Sequence, residues 1–147
     1  MKKIVLIGFL GWSLMMSSGC KVDLCNDPQD TQSGIIEGLV AVQYSGAEGE
    51  TAHIRDDSTF QAFFAPFNQS LPSVDFDTHD VLLLVTGASG CSQYYELNVE
   101  KREADKVYVA TVKVNECGGC EPWVVVNHVL KVPKLPADYQ GVEFNIE

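Results

Sequence analysis

The stretch SQYYELNVEKREADKVYVATVKVN, residues 92–115, decides the fold class. Two runs rich in Tyr, Val and Thr flank the polar tetrad Arg102-Glu103-Ala104-Asp105. β-Branched and aromatic side chains suit a pleated, half-buried surface, and a short polar connection between two such runs predicts an antiparallel hairpin. In the second run the apolar positions change parity, from Val107 and Val109 to Val112 and Val114, which predicts a bulge.

Working outward, VLLLVTG (81–87) is a short continuous apolar run, the pattern of a strand covered on both faces. WVVVNHVLKVP (123–133) and VEFNIE (142–147) read as later strands. Upstream, a strand is predicted over 35–44, ending in SGAEGE, and a short one over 52–55. Ser58 with Gln61 three places on has the form of a capping box, and Phe60, Phe63, Phe64 and Phe67 recur at helical spacing. Pro66 limits that helix to two or three turns, and its Phe stripe reads as core. The expectation is an α+β fold: a mostly antiparallel sheet or sandwich of six or seven strands, with one short Phe-rich helix. The connections are short, which favours antiparallel neighbours.

At the N-terminus, Lys2 and Lys3 precede the apolar run IVLIGFLGW, and Ser17, Ser18 and Gly19 lead to Cys20. The apolar run is too short to cross a hydrocarbon core of roughly 30 Å, so residues 1–19 read as a secretion signal. Small residues directly before Cys20 resemble the lipobox of bacterial lipoproteins, with Ser17 where strict versions have Leu. The resemblance implies lipidation at Cys20 and a membrane anchor made of acyl chains rather than a helix. With Lys21 rather than Asp after it, the resemblance further implies the outer membrane. Residues 20–34 are polar and aperiodic and read as a tether, leaving 35–147 as one globular domain. Loss of 1–19 removes Lys2 and Lys3 and no acid, so eight basic residues face twenty acidic ones, a formal charge of −12. Such a chain cannot neutralise phosphates, which argues against nucleic acid as a partner.

Apart from Cys20 the cysteines are Cys25, Cys91, Cys117 and Cys120, the last two in VNECGGCEPW (114–123). Outside the cytoplasm an even number of cysteines implies a disulfide framework. A hairpin folded about 103–105 places Cys91 opposite Cys117, give or take one residue, at a spacing that suits a disulfide. A bulge would bring Cys120 opposite instead. On either register Cys91 bonds one of the pair 117/120, and Cys25 bonds the other. A redox C-x-x-C needs a helix start to lower its thiolate pKa, whereas here Gly118-Gly119 lie between strands and Glu121 follows. A four-cysteine zinc site is the remaining alternative, opposed by an oxidising envelope.

His53, His79 and His128 show no metal spacing, and His128 reads as a surface or half-buried strand residue. Gly87-Ala88-Ser89-Gly90-Cys91 lacks the helix that a nucleophile elbow requires. Asp75, Asp77 and Asp80 share one loop but do not follow the order of an EF-hand, and read as solvated acids. No metal or cofactor is expected, and no catalytic residue.

Pro72-Ser73-Val74-Asp75-Phe76, followed by Val81–Val85 and Gly87, resembles the C-terminal domain of PrcB-type accessory subunits of surface protease complexes. That family has a P-x-[VI]-D-F segment before a buried strand, then a glycine-rich loop, a Tyr-led strand, a hairpin and a late Pro-Lys. Gly90, Tyr94-Tyr95 and Val132-Pro133-Lys134 hold these places here, and the match covers residues 52–134. Its Thr-Gly-Gly-Tyr loop is replaced by Ser89–Tyr94. A second resemblance is to chagasin-type inhibitors of cysteine peptidases, which present two loops from one end of a β-sandwich. Glu121-Pro122-Trp123 stands in the late loop, without that family's Arg.

These resemblances imply a non-enzymatic, lipid-anchored envelope protein that binds another protein or supports a protease assembly; peptidase inhibition is the alternative. The residues expected to form the binding face are Ser89, Gly90 and Tyr94 in loop 88–94, with Glu121, Pro122 and Trp123 in loop 117–123.

Overall fold

A computed structural model describes residues 29–39, 51–67, 73–89, 92–117 and 123–147. The signal segment, Cys20, Cys25, Gly90, Cys91, Cys120, Glu121, Pro122 and the part of the predicted first strand beyond residue 39 lie outside the described residues.

The elements are β1 (Thr31–Gly34), β2 (Gly38–Leu39), β3 (Ala52–Ile54), α1 (Asp57–Phe64) with a 3₁₀ turn (Ala65–Phe67), β4 (His79–Ser89), β5 (Ser92–Arg102), β6 (Val107–Cys117), β7 (Trp123–Pro133) and β8 (Gly141–Ile146). They form two four-stranded sheets, ordered β1-β5-β6-β8 and β2-β7-β4-β3. The α+β, mostly antiparallel sandwich with one short Phe-rich helix is therefore the fold. Two very short pairings, β1 and β2, complete the two sheets.

The 92–115 hairpin forms as expected, but without a bulge. Register runs unbroken from Arg102 opposite Val107 to Ser92 opposite Cys117. The parity change was a misleading signal: the inward series is Tyr108, Ala110, Val112, with Val114 packed against it. Val109 lies on the outer face, where a β-branched residue suits the strand without entering the core. An inward Ala and Tyr do not announce themselves as core. Two neighbours are parallel, β1 with β5 and β6 with β8, which short connections alone did not predict. Thr31–Gly34 falls in the segment read as tether, yet it is strand, and all four residues are exposed.

β4 and β7 carry two cores. Leu82, Leu84, Val126, Leu130 and Val132 face the other sheet, where Tyr95, Leu97, Val99, Tyr108, Ala110 and Val112 meet them. On the opposite face of the same sheet, Val81, Leu83, Val129 and Ile54 receive Phe60 and Phe64 of α1. This double covering explains why 81–84 is continuously apolar: no residue of that run faces water.

The helix N-cap lies two residues before the predicted capping Ser. It is Asp56, accepting from the Thr59 N–H at 2.8 Å and the Thr59 hydroxyl at 2.9 Å. Ser58 donates to Asp56, and these bonds hold the Asp56 carboxyl down to about 2. Pro66 falls within the 3₁₀ turn that ends α1. No helix among the described residues is long and apolar enough to cross a membrane.

Candidate functional site

Two of the connections between the sheets, from β4 to β5 and from β6 to β7, join strand ends that lie at one end of the sandwich. β4 ends at Ser89 in one sheet and β5 starts at Ser92 in the other; β6 ends at Cys117 and β7 starts at Trp123. Ser89 stands opposite Trp123, and Ser92 opposite Cys117. Ser92 thus holds the place expected for Cys91, one residue away in register.

Glu116 ties the sheets together at this end. Its carboxylate accepts from the Ser89 N–H at 2.9 Å and lies 3.4 Å and 3.5 Å from the Ser89 hydroxyl. Trp123 begins β7 with its side chain on the outer face of its sheet, 68% exposed. It does not pack into the core. Its ring lies over the Gly87 backbone instead, where a Cβ would sit 2.2 Å from the indole Cζ2. A side chain at 87 would therefore displace the indole from the strand.

Of the candidates for a binding face, Ser89 and Trp123 are brought together. Tyr94 is not: Tyr95 points into the core, so Tyr94, opposite Asn115, lies on the outer face of the other sheet. Period-2 alternation separates it from Trp123 by the thickness of the sandwich.

Inside the same end lies a polar group that sequence reading missed. His128 is buried, not at the surface, because the other sheet covers the face it points to. Its Nε2 is 3.0 Å from the Thr86 hydroxyl, and its ring meets the edge of Tyr95 at 4.5 Å between centroids. The Thr86 hydroxyl also lies 3.5 Å from the Val126 carbonyl. Desolvation pushes the imidazole down to about 4, against the pull of the Asp30 carboxylate, so His128 is neutral near pH 7. The Tyr95 hydroxyl is buried without a hydrogen bond of regular geometry, and burial raises its pKa, with Thr86 near enough to oppose the shift. Asp30 accepts from the Tyr95 N–H at 2.9 Å and so pins the start of β1 to β5. Thr86 and His128 have the chemistry of a nucleophile and base, and both side chains are buried.

The opposite end holds a second polar group. Asp80, fully buried, accepts from the Leu135 N–H at 3.0 Å and sits 2.8 Å from His53 Nε2. Its other oxygen has no partner among the described residues. Asp75 instead caps a turn, accepting from the Thr78 hydroxyl at 2.8 Å and the Asp77 N–H at 3.1 Å. The reading of Asp75, Asp77 and Asp80 as solvated loop acids thus fails for Asp80, which opens a strand that is covered on both faces. His79 bonds Glu37 at 2.6 Å and Thr78 at 2.7 Å. Among the described residues no three His, Cys, Asp or Glu side chains converge as metal ligands. His53 has the carboxylate partner of a general base, but among the described residues no hydroxyl hydrogen-bonds to it.

The loop end, with an exposed indole held on a glycine and a serine–glutamate clasp between the sheets, is therefore the candidate site. No protein-family model matches the chain, and neither a curated protein nor a solved structure is significantly similar to it.

Proposed function

We propose that this is a non-enzymatic, lipid-anchored protein of the bacterial cell envelope that binds another protein through its loop end. The observation that carries the reading is Trp123, a large apolar ring left exposed beside the paired ends of β4 and β7. Trp is among the residues that contribute most to protein interfaces, and a ring already held in place loses little freedom on binding. Beneath it, Ser89 is paired with Trp123 in one sheet and Ser92 with Cys117 in the other. Lipidation of Cys20 would place this end in the envelope, at the length of a polar tether from the membrane.

The test is crosslinking in cells with a photoreactive group at Ser89, in the wild-type background and with Trp123→Ala. A discrete crosslinked partner lost in the Trp123 variant is expected; an identical pattern in both would sink the reading. Radiolabelled palmitate incorporation that disappears in Cys20→Ser tests the anchor. Inhibition of papain by the purified protein at submicromolar concentration would move the assignment to a peptidase inhibitor.

A further inference from the structure

We infer that the loop end receives a basic segment of the partner protein, with a Lys or Arg side chain over the free face of Trp123. This rests on the binding reading above and adds the chemistry of the partner. One face of the indole is closed by the Gly87 backbone, so a ligand reaches the ring from the solvent side. That face carries the negative lobe of the ring quadrupole, which attracts cations, and Trp is the strongest aromatic in this role.

The surroundings have the same sign. Glu116 stands beside Ser89, the cross-strand partner of Trp123, and no cation among the described residues pairs with its carboxylate. Neither 86–95 nor 114–130 contains Lys or Arg, and His128 is buried and uncharged. The chain as a whole has twenty acidic against ten basic residues. Local and global fields therefore both steer a cationic segment to this end. The half of the sheet face beneath α1 is filled by Phe60 and Phe64, whereas Val85 and Val125 are half-buried and Trp123 is exposed. A long basic side chain suits this mixed surface, its methylenes on Val125 and its charge over the indole.

The chain contains two Trp residues, so with Trp12→Phe the fluorescence reports Trp123 alone. Hexa-arginine peptide is titrated against the full chain carrying that change, with hexa-glutamate and chitohexaose as comparators. A saturable change in Trp123 emission with hexa-arginine, weakened about tenfold by Glu116→Gln, is expected. Glutamine keeps the acceptor for the Ser89 N–H, so this variant removes charge without removing the clasp. Affinity read independently by calorimetry should fall by a similar factor in Trp123→Ala and stay unchanged in Asp57→Asn, which alters a remote acid.

Equal losses in all three variants would mean diffuse charge attraction and overturn the inference. A response to chitohexaose and none to hexa-arginine would overturn it in favour of sugar stacking. If the cellular crosslink depends on Trp123 while hexa-arginine does not bind, the binding face stands and the cationic partner falls. If neither depends on Trp123, both fall.

Discussion

The buried imidazole of His128 makes a quantitative prediction about acid stability. Its pKa in the folded protein is about 4, against 6.5 for an exposed histidine. Below pH 6.5 the unfolded chain takes up a proton that the folded chain refuses until the pH nears 4. Stability from the neutral His128 is therefore complete above pH 6.5, is lost as the pH falls, and levels off below about 4. At about 1.4 kcal/mol per unit of pKa difference, His128 accounts for a loss of about 3 kcal/mol between pH 7 and pH 4. With a urea m-value of about 1.5–2 kcal/mol/M, that lowers the midpoint by ~1.5–2 M. Carboxylates titrate in the same window, so the informative quantity is the difference between wild type and His128→Gln, which does not titrate there.

Urea denaturation of both proteins at several pH values from 7 to 4 gives that difference. Wild type should lose about 3 kcal/mol more than the variant over this range, whatever the variant's stability at pH 7. In a parallel NMR titration the His128 Cε1–H resonance should stay in its neutral position to below pH 5. Asp30→Asn should push the midpoint lower still, because the Asp30 charge opposes the desolvation. Parallel pH–stability curves for wild type and His128→Gln, or an imidazole titrating near 6.5, would refute the argument.

Four further outcomes can be measured. Phe60→Ala removes a ring that is 1% exposed and edge-on to Phe64 and Phe76, and should cost about 3–5 kcal/mol by urea denaturation. Asp80→Ala leaves the Leu135 N–H and His53 without their acceptor and should cost about 2–4 kcal/mol, with Asp80→Asn intermediate. Gly87→Ala should lift the indole off the sheet, seen as a change in Trp123 emission with at most about 1–3 kcal/mol of destabilisation. Intact mass of residues 21–147 from an oxidising compartment should be four hydrogens below the reduced value, with no alkylated thiol. Two or more reactive thiols there would favour the redox or metal alternative for Cys117 and Cys120.

The local pairings were legible because they are written in consecutive residues. The hairpin of β5 and β6 follows from two β-prone runs and a polar turn, and β4 from an apolar run between breakers. Its turn nonetheless holds Lys106 at φ 54, a left-handed conformation that Lys does not signal. Ser89 and Trp123 could be placed at one end of the sandwich because both border connections between legible strands. What could not be read was which way each side chain faces. Val109 counted as core and Ala110 did not, although the sheet buries the reverse.

The chain's own order of residues determined the strand content, the short Phe-rich helix and the acidic balance. Tertiary structure alone decided that β7 is covered on both faces over much of its length, and hence that His128 is buried and Trp123 exposed on the same strand. It also decided the parallel docking of β1 on β5 and β8 on β6, which join segments far apart in sequence. The physical reason is one of range. Alternation and turn chemistry act between residues a few positions apart, whereas burial depends on what another sheet or helix places over a face.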